Sequence, residues 1–230
     1  MDFNYSLDNY SKKVQQAFPL MSIKHETFLA EKANQLMDLA LRHLGETSKL
    51  RVLDVGCGSG LMESILNNKF NSIVGVDIAA DAIKEAKQAG LNAQFINYDG
   101  QKLPFNDNEF DVVFACSVFH HIPYNQRLLV AKEMFRVATR GGLVVIFEHN
   151  PWNPITRLIV SRCEFDRNAE LLPNRESITL LKNVGLNKIM SSQILYFPWR
   201  GNFWKLIEKF ISWIPLGAQY VVSGNKPMSV

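Results

Sequence analysis

From Asn9 to Leu44 the apolar positions follow a helical rhythm. Phe28, Leu29, Leu36, Met37, Ala40, Leu41 and Leu44 share one face, Lys and Glu take the other, and Gly45 is placed to end the run. A different rhythm then begins. Leu50–Val55, Ser72–Asp77, Ala93–Asn97, Asp111–Ser117 and Leu143–Glu148 are short runs rich in Val, Ile, Leu and Phe, long enough for strands and too short for independent helices. Between them, Leu61–Phe70, Ala79–Ala89 and Asn125–Thr139 carry helical periodicity, with Gly90 and Gly141 as stops. Strands alternating with helices predict an α/β fold with a mostly parallel sheet covered on both faces. The near-continuous apolar stretches VVFACSVF and LVVIFE suit its interior strands.

After Glu148 the alternation stops. Pro151, Trp152 and Pro154 open a segment without strand character. A helix is predicted at Glu176–Val184, ending at Gly185, then a strand at Lys188–Phe197, a second helix at about Asn202–Ile214, and a short strand at Gln219–Ser223. No linker or repeat divides the chain. It reads as one domain: an N-terminal helical cap (1–45), a core (50–150) and a C-terminal elaboration (151–230).

Composition narrows the class. Of 230 residues 47% are hydrophobic, too many for a disordered chain, and no apolar run is long enough to cross a bilayer. Met1–Tyr10 carry no secretory pattern. Cys57, Cys116 and Cys163 are scattered and odd in number, which argues against disulfides and a structural zinc site and for a reducing, cytoplasmic setting. No metal site is expected. The net charge of +3, without a basic cluster, gives no sign of a nucleic-acid partner.

LRVLDVGCGSG (Leu50–Gly60) carries the most chemistry: a strand runs into Gly56, Gly58 and Gly60 and on into a helix. Glycine lets a ligand lie directly on the backbone, and the helix start offers unpaired N–H groups. Asp77 ends the next strand, 19 residues past Gly58, where a carboxylate accepts from ribose hydroxyls; Asp99 follows the third strand and suits an adenine amino group. Leu61 stands where the dinucleotide fingerprint GxGxxG needs its third glycine, which counts against a nicotinamide oxidoreductase. The pattern fits an adenosine-bearing ligand whose charged end need not be a phosphate.

LDVGCGSG, VGVD, NYDGQKLPF and DVVFACSVFHHI, in this order, resemble class I S-adenosylmethionine-dependent methyltransferases. The resemblance implies a Rossmann-like three-layer sandwich, its seven-stranded sheet having an antiparallel last strand inserted beside the fifth. It also implies that Gly56, Cys57 and Gly58 approach the methionine end of S-adenosyl-L-methionine. Asp77 would take the ribose, Ile78 would pack on the adenine, and Asp99 with Gly100 would hold the adenine edge. Asp54 would brace the loop, and Cys116 would offer its carbonyl to the cofactor amino group. HETFLAEKA, FEHNPWNPITRLIVSRCEFDRNAELL and IPLGAQYVV are similar to bacterial and archaeal methyltransferases of glycan or lipid biosynthesis.

Two pairs stand where a general base would act. His120 and His121 follow the fourth strand; side-chain alternation would turn one toward the cleft, as loop-shaping histidine or as catalytic contact. Glu148 and His149 end the fifth, with His149 the first choice as base and Glu148 orienting it or the substrate. Arg157, Arg162, Asp166 and Arg167 read either as a solvated helix face or as contacts to an anionic or hydroxyl-rich substrate, and Cys163 as packing. In 202–214, Phe203, Leu206, Ile207, Phe210, Ile211 and Ile214 make an apolar helix face. It either packs on the domain, covers an apolar substrate, or rests on a membrane with Trp199, Trp204 and Trp213 at the interface. The expectation is methyl transfer to a small-molecule acceptor, first a hydroxyl of a sugar or lipid-linked metabolite. The alternatives are N- or C-methylation of a lipid or quinone precursor, or a cofactor-binding partner without catalysis.

Overall fold

The computed structural model describes residues 25–163, 166, 168–196, 206–207, 210–211 and 213–229. The first part of the N-terminal helical segment, Arg167, Trp199, Trp204 and most of the aromatic helix at 202–214 lie outside them. Helix α1 (His25–Leu44) leads through a short turn into β1 (Arg51–Val55), α2 (Leu61–Leu66), β2 (Ser72–Asp77), α3 (Ala80–Gln88) and β3 (Gln94–Asn97). Then come β4 (Phe110–Cys116), a 3-10 turn (Phe119–His121), α4 (Tyr124–Val137), β5 (Ala138–His149), α5 (Pro154–Arg162), α6 (Asn174–Asn183), β6 (Asn187–Ile194) and β7 (Gln219–Asn225). The seven strands order as β3-β2-β1-β4-β5-β7-β6. Strands β1 to β5 pair in parallel, and β7 enters antiparallel between β5 and β6. The expected α/β sandwich with its inverted last strand is therefore present.

Period-two alternation sorts the central strands onto two cores. Leu53, Val55, Val113, Ala115, Val144 and Ile146 face Ala131 and Met134 of α4 and Leu180 and Leu181 of α6. Val52, Val112, Phe114, Val145 and Phe147 face Leu29, Ala33, Leu36 and Ala40 of α1 and Met62 and Leu66 of α2. Both faces being covered, β4 and β5 read as apolar runs without alternation.

Three boundaries depart from expectation. Gly141 does not stop a helix: α4 ends at Val137, and Gly141, at φ +77°, lies inside β5. The pairs Phe110–Ala138 and Val112–Leu143 leave Thr139–Gly142 bulged against Asp111 alone, and the bulge carries the left-handed residue. Helix α2 stops at Leu66, before Asn68 turns left-handed at φ +60°. The segment after Pro151 forms α5, whose start Asn153 caps by accepting from the Ile155 and Thr156 amides, with Pro154 at the first helical position. Arg157 and Arg162 are exposed along α5 and Cys163 is buried at its end, as the solvated-face and packing readings require. Leu206, Phe210 and Trp213 are largely exposed rather than packed on the domain. Among the described residues no helix is long and apolar enough to cross a membrane.

Candidate functional site

The C-terminal ends of β1, β2 and β4 form one rim. At its centre, Gly56, Gly58 and Gly60 all take positive φ, which glycine alone adopts without strain. A Cβ on Gly56 would fall 2.5 Å from the Val118 side chain, whereas the space over Gly58 is open. The Gly56 and Cys57 amides donate to the Val76 carbonyl at 2.7 and 3.1 Å, pinning the loop to β2. Asp77 completes the brace: Oδ2 accepts from the Gly58 amide and Oδ1 from the Ala79 amide, each at 2.8 Å. Burial raises the Asp77 carboxyl above its ordinary value, and these backbone donors offset part of that rise.

Asp54 does not perform the bracing expected of it. Its carboxyl is buried beside Glu63 of α2, while the loop amides go elsewhere, those of Gly56 and Cys57 to the Val76 carbonyl and that of Gly58 to Asp77. Among the described residues no donor reaches Asp54 Oδ1 or either Glu63 oxygen. Burial and mutual repulsion raise Asp54 well above its ordinary range, and burial lifts Glu63 to about 7. A proton held between the two carboxyls satisfies both. The same burial, with these carboxyls nearby, pushes the Cys57 thiol up, so it is no nucleophile.

Ile78 is 53% exposed immediately after Asp77, and a Cβ on Gly100 (φ +79°) would stand 3.1 Å from its Cγ2. An exposed apolar side chain beside a bare backbone suits a flat ring. Asp99 Oδ1 accepts from the Gln101 amide at 2.9 Å, shaping that turn. Cys116 ends β4, half-buried, and the next residue, Ser117, receives at its Oγ a 3.3 Å hydrogen bond from the buried Lys32 ammonium of α1. The sequence reading passed over Lys32, because a lysine among helical polar positions carries no signal of burial.

The two histidine pairs merge into one cluster. His120 and His121 lie on the 3-10 turn after β4, so strand alternation does not separate them: their rings are 4.1 Å apart, and both Nε2 atoms lie 3.4 Å from Asp166 Oδ1. Glu148 turns to the ring of His120 rather than that of His149, although its Oε2 also accepts from the His149 amide at 3.2 Å. Its Oε2 accepts from His120 Nδ1 at 2.7 Å, and its Oε1 from the His120 amide at 3.3 Å. His149 instead lies with Nδ1 3.1 Å from Gln219 Nε2, its ring 5.0 Å from that of His120. Burial alone would lower His120, but Glu148 and Asp166 outweigh it and push His120 up to about 9. That proton in turn overcomes burial at both carboxylates and brings each down to about 2. Burial, helped by the His120 charge, drops His121 to about 4 and His149 to about 3. At neutral pH the cluster thus holds one imidazolium, two neutral imidazoles and two carboxylates. Asp166, which the sequence offered as part of a solvated face or a substrate contact, joins the histidines instead, a pairing hidden because its partners are 45 and 46 positions away.

A methyltransferase domain profile matches residues 53–146. A 2-methyl-6-phytyl-1,4-hydroquinone methyltransferase of Synechocystis is 34% identical over 103 residues, which cover 43% of this chain and 32% of that one. A demethylmenaquinone methyltransferase of Lactococcus lactis is 29% identical, covering 67% and 66%. The chain thus spans about a third of the first relative and just under two thirds of the second. Among solved structures, a SAM-dependent methyltransferase of Thermotoga maritima superposes with a TM-score of 0.67 at 18% identity, covering 96% of each chain. A methyltransferase of Haloferax volcanii, solved with the Trm112 activator, superposes at 0.62 and 16% identity, covering 94% and 97%. These two likenesses concern the fold.

Proposed function

We propose that the chain, whose residues 53–146 match a methyltransferase domain, is a class I enzyme that transfers a methyl group from S-adenosylmethionine to a small-molecule acceptor. The observation that carries the reading is the row Gly58–Asp77–Ile78–Gly100: an open glycine backbone, a fixed carboxylate, an exposed apolar side chain and a second bare backbone on one rim. This donor set fits the cofactor. Each Asp77 oxygen accepts one backbone amide and keeps a second lone pair for a ribose hydroxyl. Ile78 and Gly100 would flank the adenine, Asp99 would meet its edge, and Gly56, Cys57 and the Cys116 carbonyl would border the methionine end. When bound, S-adenosylmethionine supplies an electrophilic methyl group together with its own leaving group.

The chain's part is to align the acceptor and manage its proton. The low proton affinity of two of the histidines favours one acceptor class over another. His149 and His121, brought down to about 3 and 4, are weak bases, and His120 already holds its proton. Such a cluster is poorly matched to an aliphatic hydroxyl, which needs a base poised near neutrality. It suits an acceptor acidic enough to react as a phenolate- or enolate-like species without a strong base. The reading therefore moves from the sugar hydroxyl to carbon methylation of a quinol-type precursor, in line with the activities named for the Synechocystis and Lactococcus relatives. An apolar tail on that acceptor has surface to lie on: Trp152 and Ile155 at the start of α5 are exposed, and Asn153 ties that start to Leu216 at 2.7 Å.

The test is S-adenosylhomocysteine release over a panel of quinols, sugars, amines and lipid-linked alcohols, with product NMR to locate the methyl group. A carbon-bound methyl on a quinol is expected. Turnover confined to sugar hydroxyls would overturn the acceptor assignment, and cofactor binding without turnover on any acceptor would overturn the enzyme.

A further inference from the structure

The spacing inside the histidine cluster has two scales. His120 Nδ1 to Glu148 Oε2, at 2.7 Å, is a short charge-assisted hydrogen bond. His120 Nε2 and His121 Nε2 stand off from the same Asp166 oxygen at 3.4 Å, longer than such a bond prefers. Ligands about 2.1 Å from a tetrahedral ion lie about 3.4 Å from one another, so both separations match the edges of a coordination polyhedron. One ligand atom from each of His120, His121 and Asp166 falls within 4.8 Å of the others. From this geometry we propose that His120, His121 and Asp166 bind a divalent first-row transition ion, with Glu148 orienting His120 from the outer side.

Ligand type agrees with geometry. Two imidazoles and one carboxylate form a mixed nitrogen–oxygen set that leaves coordination positions open, as zinc and iron(II) sites use it. The Glu148–His120 contact supplies the second-shell carboxylate that fixes the tautomer and ring orientation of a metal-bound histidine. The frame is built in advance. The Glu170 amide donates to the His120 carbonyl at 2.8 Å, and Arg127, itself buried, donates to the Glu170 carbonyl at 2.8 Å and to Glu176 at 2.7 Å. The segment bearing Asp166 is thereby fastened to the turn bearing both histidines. Access exists as well, since the His121 and Asp166 side chains are 22% and 11% exposed. No cysteine takes part, which is why cysteine spacing gave no hint of a metal.

The site stands or falls without reference to methyl transfer. Full-length protein, stripped with chelator, is titrated with Zn2+ by calorimetry and with Co2+ by visible absorption. One equivalent is expected, with d–d bands for Co2+. Asp166→Asn and His121→Ala should each abolish the stoichiometric phase. Glu148→Gln should weaken it about 10–100-fold, as loss of an outer-shell partner does. Circular dichroism and S-adenosylhomocysteine binding of the same variants report whether they fold. Absence of a stoichiometric phase in the wild-type protein would overturn the site, leaving the cluster a plain ion-pair network. Folded variants that bind metal as the wild type does would overturn it too, by locating the ion elsewhere.

Discussion

Two carboxyls beneath the glycine loop, Asp54 and Glu63, share a burial that neither can support charged. A carboxyl whose folded pKa lies above its unfolded value stabilises the fold below the unfolded pKa, and that contribution is lost as pH rises through the folded one. For Glu63 the window runs from its ordinary 4.5 to about 7. Wild-type stability should therefore decline from pH 5 to pH 8. Glu63→Gln removes the titration and offers Asp54 an amide donor, so it should be the more stable protein at pH 8 by roughly 2–3 kcal/mol and gain little at pH 5. Urea unfolding at both values checks this; a gain independent of pH would place the effect in packing instead. Asp77, also raised by burial, differs in having two backbone amides to hold. Asp77→Ala frees the Gly58 amide and removes the proposed ribose acceptor. Hydrogen bonds to a charged group contribute about 1.5–3 kcal/mol, so S-adenosylhomocysteine should bind roughly 10–100-fold more weakly in calorimetry. Affinity equal to wild type would remove Asp77 from the cofactor site.

At the scale of elements, β5 stays paired with β7 to its last residue, His149, and is followed by Asn150, a buried amide that gathers the connection between β6 and β7. Asn150 Nδ2 donates to the Gly217 carbonyl at 2.7 Å and the Pro215 carbonyl at 3.1 Å, and its Oδ1 accepts from the Trp152 amide at 3.0 Å. Asn150→Ala leaves those groups without partners and should cost about 2–3 kcal/mol, read as a lower denaturation midpoint. A loss under about 0.5 kcal/mol, the size of an ordinary surface substitution, would mean that water replaces the amide. Asn150 also marks how far the sequence was legible. The strands announced themselves, because β4 and β5 are apolar on both faces and each of β1 to β3 ends at or near a glycine or aspartate with a distinct task. The rim proposed for the cofactor was legible for the same reason: Gly56, Gly58, Asp77 and Asp99 lie at or near strand ends in chain order. The histidine cluster was not. His120 meets Glu148 across 28 positions and Asp166 across 46, and no local periodicity encodes such a meeting. Gly141 misled because a glycine after a helical run reads as a stop, while a bulge in a strand uses the same residue for the same positive φ.

Across the whole molecule, α1 lies outside the matched stretch 53–146 and yet contributes to the rim. It packs Leu29, Ala33, Leu36 and Ala40 on the sheet, which carries Lys32 under cover to 3% exposure beside Ser117. A buried ammonium needs an anionic partner, and among the described residues no carboxylate pairs with Lys32; its hydrogen bond goes to a hydroxyl. Ser117 follows Cys116, where the methionine end of the cofactor is proposed to lie, and the amino-acid carboxylate of that ligand is the proposed partner of Lys32. Lys32→Met keeps the length of the side chain and removes the charge. It should weaken S-adenosylhomocysteine at least tenfold, the loss of one hydrogen bond to a charged group. 5′-Methylthioadenosine, which lacks the carboxylate, should bind the variant as it binds the wild type. Stability should hold or rise, since a charge met only by a hydroxyl leaves the interior. Equal weakening of both ligands would mean that α1 shapes the cleft by packing, with no role for the ammonium, and unchanged binding of both would detach α1 from the cofactor altogether.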